Sequence, residues 1–133
     1  VTDVEETAVY ILDASALLCL LFGEPGADRV EQRLAGALVS TVNYHEVFAK
    51  LIDRGVEAEE VRAMLAELDI EIVAADRQQA DLGGALRAST RSTGLSLGDR
   101  SCLALAQMNN GIAVTADQAW GTLDVGISVE VVR

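Results

Sequence analysis

Four carboxylates stand at or near the starts of segments with a helical pattern. Asp13 follows Ala8-Val9-Tyr10-Ile11-Leu12, and Glu46 lies just after Ala37-Leu38-Val39-Ser40-Thr41. Asp99 opens the segment that ends in Leu103-Ala104-Leu105-Ala106, and Asp117 follows Ile112-Ala113-Val114-Thr115. An oxygen-only donor set suits a hard divalent cation such as magnesium or manganese. Such ions favour phosphate-bearing substrates, activate a water and stabilise a leaving oxygen, which points to metal-assisted phosphodiester hydrolysis. Each acid also has an ordinary local role. Asp13 and Asp117 fit helix N-caps, and Ser96-x-x-Asp99 and Asn43-x-x-Glu46 fit capping boxes that put Asp99 and Glu46 in the first turns of their helices. Helix termini alone do not offset four clustered anions, whereas a divalent cation does.

The elements that must position these acids read as an alternation of strands and helices. The run at 8–12 is short, continuous and apolar, as expected of a central strand buried on both faces. Ala14 to Phe22 reads as a buried helix, broken by Gly23-Glu24-Pro25-Gly26, and Ala27 to Leu34 as a second. A second strand spans 37–41. Helices follow at Asn43–Arg54, stopped by Gly55, and at Glu57–Leu68, with Val61, Met64, Leu65 and Leu68 facing inward. A third strand covers Ile70–Ala74. Asp76 opens a helix to about Thr90, whose Gly83-Gly84 pair implies a close helix contact or a kink. The helix bearing Asp99 ends near Asn110-Gly111. A fourth strand at 112–115, a short helix at 116–120 and a final strand at 127–132 complete the chain, and residues 1–7 read as a frayed polar start. This order implies a parallel sheet covered on both faces, whose site forms beyond the carboxyl ends of the strands. All four acids then converge at one edge.

The 133 residues are half apolar, which predicts one compact domain over residues 1–133. No apolar run is long enough to span a bilayer. Cys19 and Cys102 both fall in apolar helical stretches, as buried thiols of a cytoplasmic protein do. The net charge of -11 argues against a simple electrostatic nucleic-acid binder and is compatible with a site that collects cations or with a basic protein partner.

At these residues the chain resembles the PIN-domain ribonucleases, and most closely the VapC toxins of bacterial toxin–antitoxin pairs. Four pieces carry the resemblance in family order: Ile11-Leu12-Asp13-Ala14-Ser15-Ala16-Leu17-Leu18, Asn43-Tyr44-His45-Glu46-Val47, Leu95 through Ala106, and Val114 through Trp120. The resemblance implies a three-layer α/β/α fold with a five-stranded parallel sheet in order 3-2-1-4-5. It implies magnesium or manganese at Asp13, Glu46, Asp99 and Asp117, with Asp13 and Asp99 the most direct ligands. It further implies a homodimer, inhibition by a small VapB-like antitoxin, and cleavage of structured or translation-linked RNA such as tRNA or rRNA. Ser15 and Thr115 are candidates to hydrogen-bond the waters or carboxylates around the metal.

Other residues divide between function and structure. Arg87 and Arg91, one helical turn apart, and Arg100 could clamp RNA phosphates or pair with surface acids. His45 reads as a surface residue and Trp120 as core. Leu17, Leu18, Leu21 and Phe22, with the helix from Glu57, supply more apolar surface than one core needs, as a dimer or antitoxin surface would. Two other folds with acids at strand ends fit poorly. A haloacid-dehalogenase-like phosphatase needs Asp-x-Asp after the first strand, and Ser15 stands two after Asp13. A receiver domain needs a Lys after its last strand, and the only Lys is Lys50. A catalytically inactive PIN-like binding module remains the alternative to the enzyme.

Overall fold

The computed structural model describes residues 8–133, so the expected fraying of residues 1–7 lies outside the described residues. The elements run β1 (Tyr10–Leu12), α1 (Ala14–Phe22), α2 (Ala27–Leu34), β2 (Ala37–Ser40), α3 (Thr41–Asp53), α4 (Ala58–Ala66), β3 (Ile70–Val73), α5 (Arg77–Thr90), α6 (Leu97–Met108), β4 (Ile112–Thr115) and β5 (Ser128–Val131). Single 3-10 turns occupy Arg91–Thr93 and Gln118–Thr122.

All five strands are parallel, in the order β3-β2-β1-β4-β5. The central strand shows why its run is apolar at successive positions. Ile11 and Leu12 point to opposite faces and are both fully buried, Ile11 beside α6 and Trp120, Leu12 beside α1, α2 and α3. Two cores therefore sandwich the sheet, the three-layer arrangement expected from the alternation. None of the helices among the described residues is long and apolar enough to cross a membrane.

The local chemistry at the helix starts sets the site. Asp13 caps α1 by accepting from Ala16 N, and Asp76 caps α5 by accepting from Gln79 N. Ser96 and Asp99 form a complete capping box on α6. The second box expected from the sequence does not form. Helix α3 begins two residues earlier, because Ser40 takes the cap and accepts from Val42 N at 3.2 Å. Glu46 is thereby in the second turn of α3, not the first, and Asn43 lies inside the helix. The helix after β4 is a 3-10 turn capped by Asp117.

The Gly83-Gly84 pair resolves into a close helix contact at Gly83 alone. A Cβ there would lie 3.5 Å from the Arg100 carbonyl and 3.8 Å from Ala104 Cβ, whereas Gly84 faces open space. The apolar residues of α1 are not left over as expected. Leu17 is fully buried, and Leu18, Leu21 and Phe22 pack part-buried against the core. Among the described residues the exposed large apolar side chains are instead Leu97, Ile52 and Ile72. Trp120 and both free cysteines are buried, and His45 is exposed.

Candidate active site

The four acids reach the carboxyl edge of the sheet by three routes. Asp13 directly follows β1, and Asp117 comes two residues after the end of β4. Glu46 projects from α3, which leaves the end of β2. Asp99 sits in the first turn of α6, whose C-terminal end feeds β4, so the start of α6 stands at the carboxyl edge.

Asp13 is the centre of the arrangement and is 2% exposed. Its Oδ1 accepts from Ala16 N and from Ser15 Oγ, both at 2.8 Å, and its Oδ2 accepts from Thr115 Oγ1 at 2.5 Å. Ser15 in turn accepts from Ala116 N, and Thr115 accepts from Asp117 N. Both oxygens of Asp13 are thus fixed, and the two hydroxyls join the ends of β1 and β4. Burial pushes the Asp13 carboxyl up to about 6 from 3.8, against the hydrogen bonds from Thr115, Ala16 and Ser15, and the charge of Asp99 adds to the rise.

Glu46 is held from two sides. Asn43 Nδ2 donates to Glu46 Oε1 at 3.1 Å and to the Gly98 carbonyl at 3.1 Å, which ties α3 to the first turn of α6. The carboxylate lies so close over Gly98 that any Cβ at that position would strike it. This loss of water raises the Glu46 pKa, the Asn43 hydrogen bond opposes the rise, and the charge of Asp99 reinforces it. Beneath the acids lies Cys102, fully buried, its thiol pushed well up by burial and by the charges of Asp13, Asp99 and Glu46. Three of the four carboxylates therefore share one electrostatic neighbourhood, and Asp117 is tied to it only by its backbone, whose N–H donates to Thr115 Oγ1.

Among the described residues no three of these side chains form a ready-made metal site. Asp99 is turned back onto Ser96 N at 2.9 Å, Glu46 is hydrogen-bonded to Asn43, and exposed Asp117 accepts from Ala119 N. The donor chemistry nevertheless fits an oxygen-preferring dication: like charges raise one another, and Asn43 Oδ1 is a buried oxygen without a partner beside Glu46.

Asn43 and Gly98 are the site residues that sequence reasoning missed. The three-residue spacing from Asn43 to Glu46 looks the same for a cap and for two side chains on one helix face. Of the expected phosphate contacts, Arg87 and Arg91 are exposed, and among the described residues neither pairs with any of these acids. Arg100 lines a 180 Å³ cleft with Gln79, Gly83 and Ser101 that meets the hollow beside Glu46 at Val42 and Leu97, and its Nη1 donates weakly to the Gly83 carbonyl.

Comparison with known proteins follows the same lines. Residues 10–125 match the PIN domain family model. No curated protein matches. Among solved structures the chain is similar to a toxin–antitoxin complex from Klebsiella pneumoniae at 20% identity and a TM-score of 0.72, covering 96% of this chain and 98% of that one. It is similar to VapBC-1 from nontypeable Haemophilus influenzae at 20% identity and a TM-score of 0.70, covering 92% and 97%. It is also similar to the sarcin-ricin-loop-cleaving toxin VapC20 of Mycobacterium tuberculosis at 12% identity and a TM-score of 0.68, covering 90% and 98%. At these identities the likeness speaks for the fold. The family model, matched over nearly the whole described chain, speaks for more: this chain belongs to the PIN domain family.

Proposed function

We propose that the chain is a divalent-metal-dependent endoribonuclease, a VapC-like toxin restrained by a VapB-like antitoxin. The observation that carries this reading is Asp13: a buried carboxylate at the end of the central strand, crowded by Asp99, with no cationic side chain paired to it among the described residues. Family membership supports a nuclease, and the similar structures include toxin–antitoxin complexes and a toxin that cleaves the sarcin-ricin loop.

In this reading Asp13 and Asp99 hold magnesium or manganese most directly, and Glu46 and Asp117 bind it or orient its waters. A dication bound there would lower the pKa of an attacking water and stabilise the charge on the leaving oxygen. Ser15 and Thr115 keep both Asp13 oxygens aimed. Asn43 keeps Glu46 against α6. Asp99 turns from Ser96 toward the shared space. Arg87, Arg91 and Arg100 serve as outer phosphate contacts, RNA such as tRNA or rRNA is the substrate, the working form is a homodimer, and the enzyme acts in the cytoplasm.

Purified protein incubated with total cellular RNA in manganese, magnesium or EDTA tests this, beside Asp13→Asn and Asp99→Asn. Discrete fragments that vanish in EDTA and in both variants are expected. Cleavage surviving both variants contradicts the site. The inward hydrogen bonds of Asp99 and Glu46 favour a second reading, a PIN-like binding module without turnover. Metal binding without cleavage of any RNA would support that module.

A further inference from the structure

We propose that Lys50, Arg54 and Arg133 form a groove that holds the phosphates of the substrate strand beside the carboxylates. The proposal rests on the endoribonuclease reading above and adds the path that the strand takes. A hollow of about 250 Å³ is lined by Ser15, Phe22, Glu24, Lys50, Arg54 and Arg133. A second hollow of about 500 Å³ shares Ser15 and Arg133 with it and continues to Asp117 and Gln118. Ser15 is the residue that donates to Asp13. The two hollows therefore meet at Ser15 and Arg133, one hydrogen bond away from the buried central acid.

The charge in this path departs from that of the molecule. The chain carries -11 overall with only ten Lys and Arg, yet three of those ten line one hollow against a single acid, Glu24. Arg133 is paired with Glu24 at 3.0 Å. Neither Lys50 nor Arg54 forms an ion pair among the described residues. Arg54 lies over the Phe22 ring, 4.3 Å from its centroid, which orients the guanidinium without neutralising it. Lys50 stands one helical turn beyond Glu46, near enough for its charge to bear on that carboxylate. A positive path in an acidic protein concentrates field where it is needed and leaves the rest of the surface repulsive to polyanions. Unpaired guanidinium and ammonium groups, opening onto the edge where a phosphodiester would react, match a nucleic-acid backbone.

The test is equilibrium binding of a fluorescein-labelled single-stranded oligouridylate by anisotropy, in magnesium and across a salt series, with probe integrity checked on a gel. Wild type is compared with Lys50→Gln/Arg54→Gln and with the charge-matched control Arg62→Gln/Arg77→Gln. Thermal melts verify that each variant is folded. The groove variant should bind at least tenfold more weakly. Its log Kd against log salt should flatten by about 1.4, near 0.7 for each phosphate that the variant no longer neutralises. The control should keep the wild-type slope. If the groove variant and the control share one slope while wild type binds, the groove is overturned and the nuclease reading stands. If an oligoglutamate peptide competes equally and loses affinity in the same variant, the groove takes an acidic peptide and the proposal fails. If wild type does not bind oligouridylate at low salt, the groove is overturned, while the nuclease reading is decided by the cleavage of total RNA.

Discussion

Asp13 does two jobs with one carboxylate, and they pull its protonation in opposite directions. As the cap of α1 it accepts three hydrogen bonds that favour the anion, yet its burial favours the acid, and burial prevails. A carboxyl whose folded value lies above its unfolded value binds its proton more tightly in the fold. Its contribution is then fully favourable below pH 4 and is lost as pH rises through about 6. Fully ionised, it costs the fold on the order of 3 kcal/mol. Asp13→Asn should therefore stabilise the metal-free protein at pH 7.5, by on the order of 1–3 kcal/mol, with the gain falling to roughly half by pH 5. Urea unfolding at the two values measures this. A variant destabilised at pH 7.5 would mean that the missing hydrogen bonds outweigh the relieved charge. Gly98 is the second residue whose effect can be separated. The three atoms nearest a Cβ there all belong to the flexible end of Glu46, so Gly98→Ala should leave stability unchanged or raise it by about 0.5–1 kcal/mol. The same change should reduce RNA cleavage at least tenfold by pushing Glu46 aside. Wild-type turnover in that variant would remove Glu46 from the site.

The elements were legible wherever the signal was local. The apolar run at 8–12, the breakers at Gly23 and Gly55, and the caps at Asp13, Asp76 and Ser96 each place a boundary within a residue or two of where it falls. The start of α3 was not legible because Thr41 and Val42 are β-branched and continue the strand pattern, while Ser40 captures the cap. That shift turned Asn43 from a cap into a buried bridge to Gly98, 55 residues away, a contact that spacing along the chain cannot reveal. The basic groove was hidden for the same reason. Arg87, Arg91 and Arg100 group in sequence, whereas Arg133 meets Glu24 only through the fold. Where α6 hands over to β4, a prediction at this scale follows. A Cβ on Gly111 would lie 2.6 Å from Ile11 Cδ1 and 2.7 Å from the Val9 carbonyl. The carbonyl belongs to the lead-in of the central strand and cannot yield without disturbing it. Gly111→Ala should destabilise the protein by about 1–3 kcal/mol, read as a lower urea midpoint at unchanged slope.

The whole molecule sets charge against site. A parallel sheet gathers its helix starts at one edge, and this chain puts four carboxylates there within a fold already at -11. All four take local hydrogen-bond partners: Asp13 from Ala16 N and Ser15, Glu46 from Asn43, Asp99 from Ser96 N and Asp117 from Ala119 N. Ion pairs elsewhere tie the frame together: Arg29 and Arg33 clamp Glu130, fastening α2 to β5 on the side away from β2 and β3. In the proposed nuclease Asp13, Asp99, Glu46 and Asp117 act together on one divalent-cation site. Manganese titration by calorimetry at pH 7.5, into wild type, Asp13→Asn and Asp99→Asn, tests it most directly. Saturable binding by wild type is expected, abolished or weakened at least tenfold in each variant, with a matching rise in melting temperature only where binding persists. Absence of saturable heat in wild type, or equal binding in all three proteins, would contradict it.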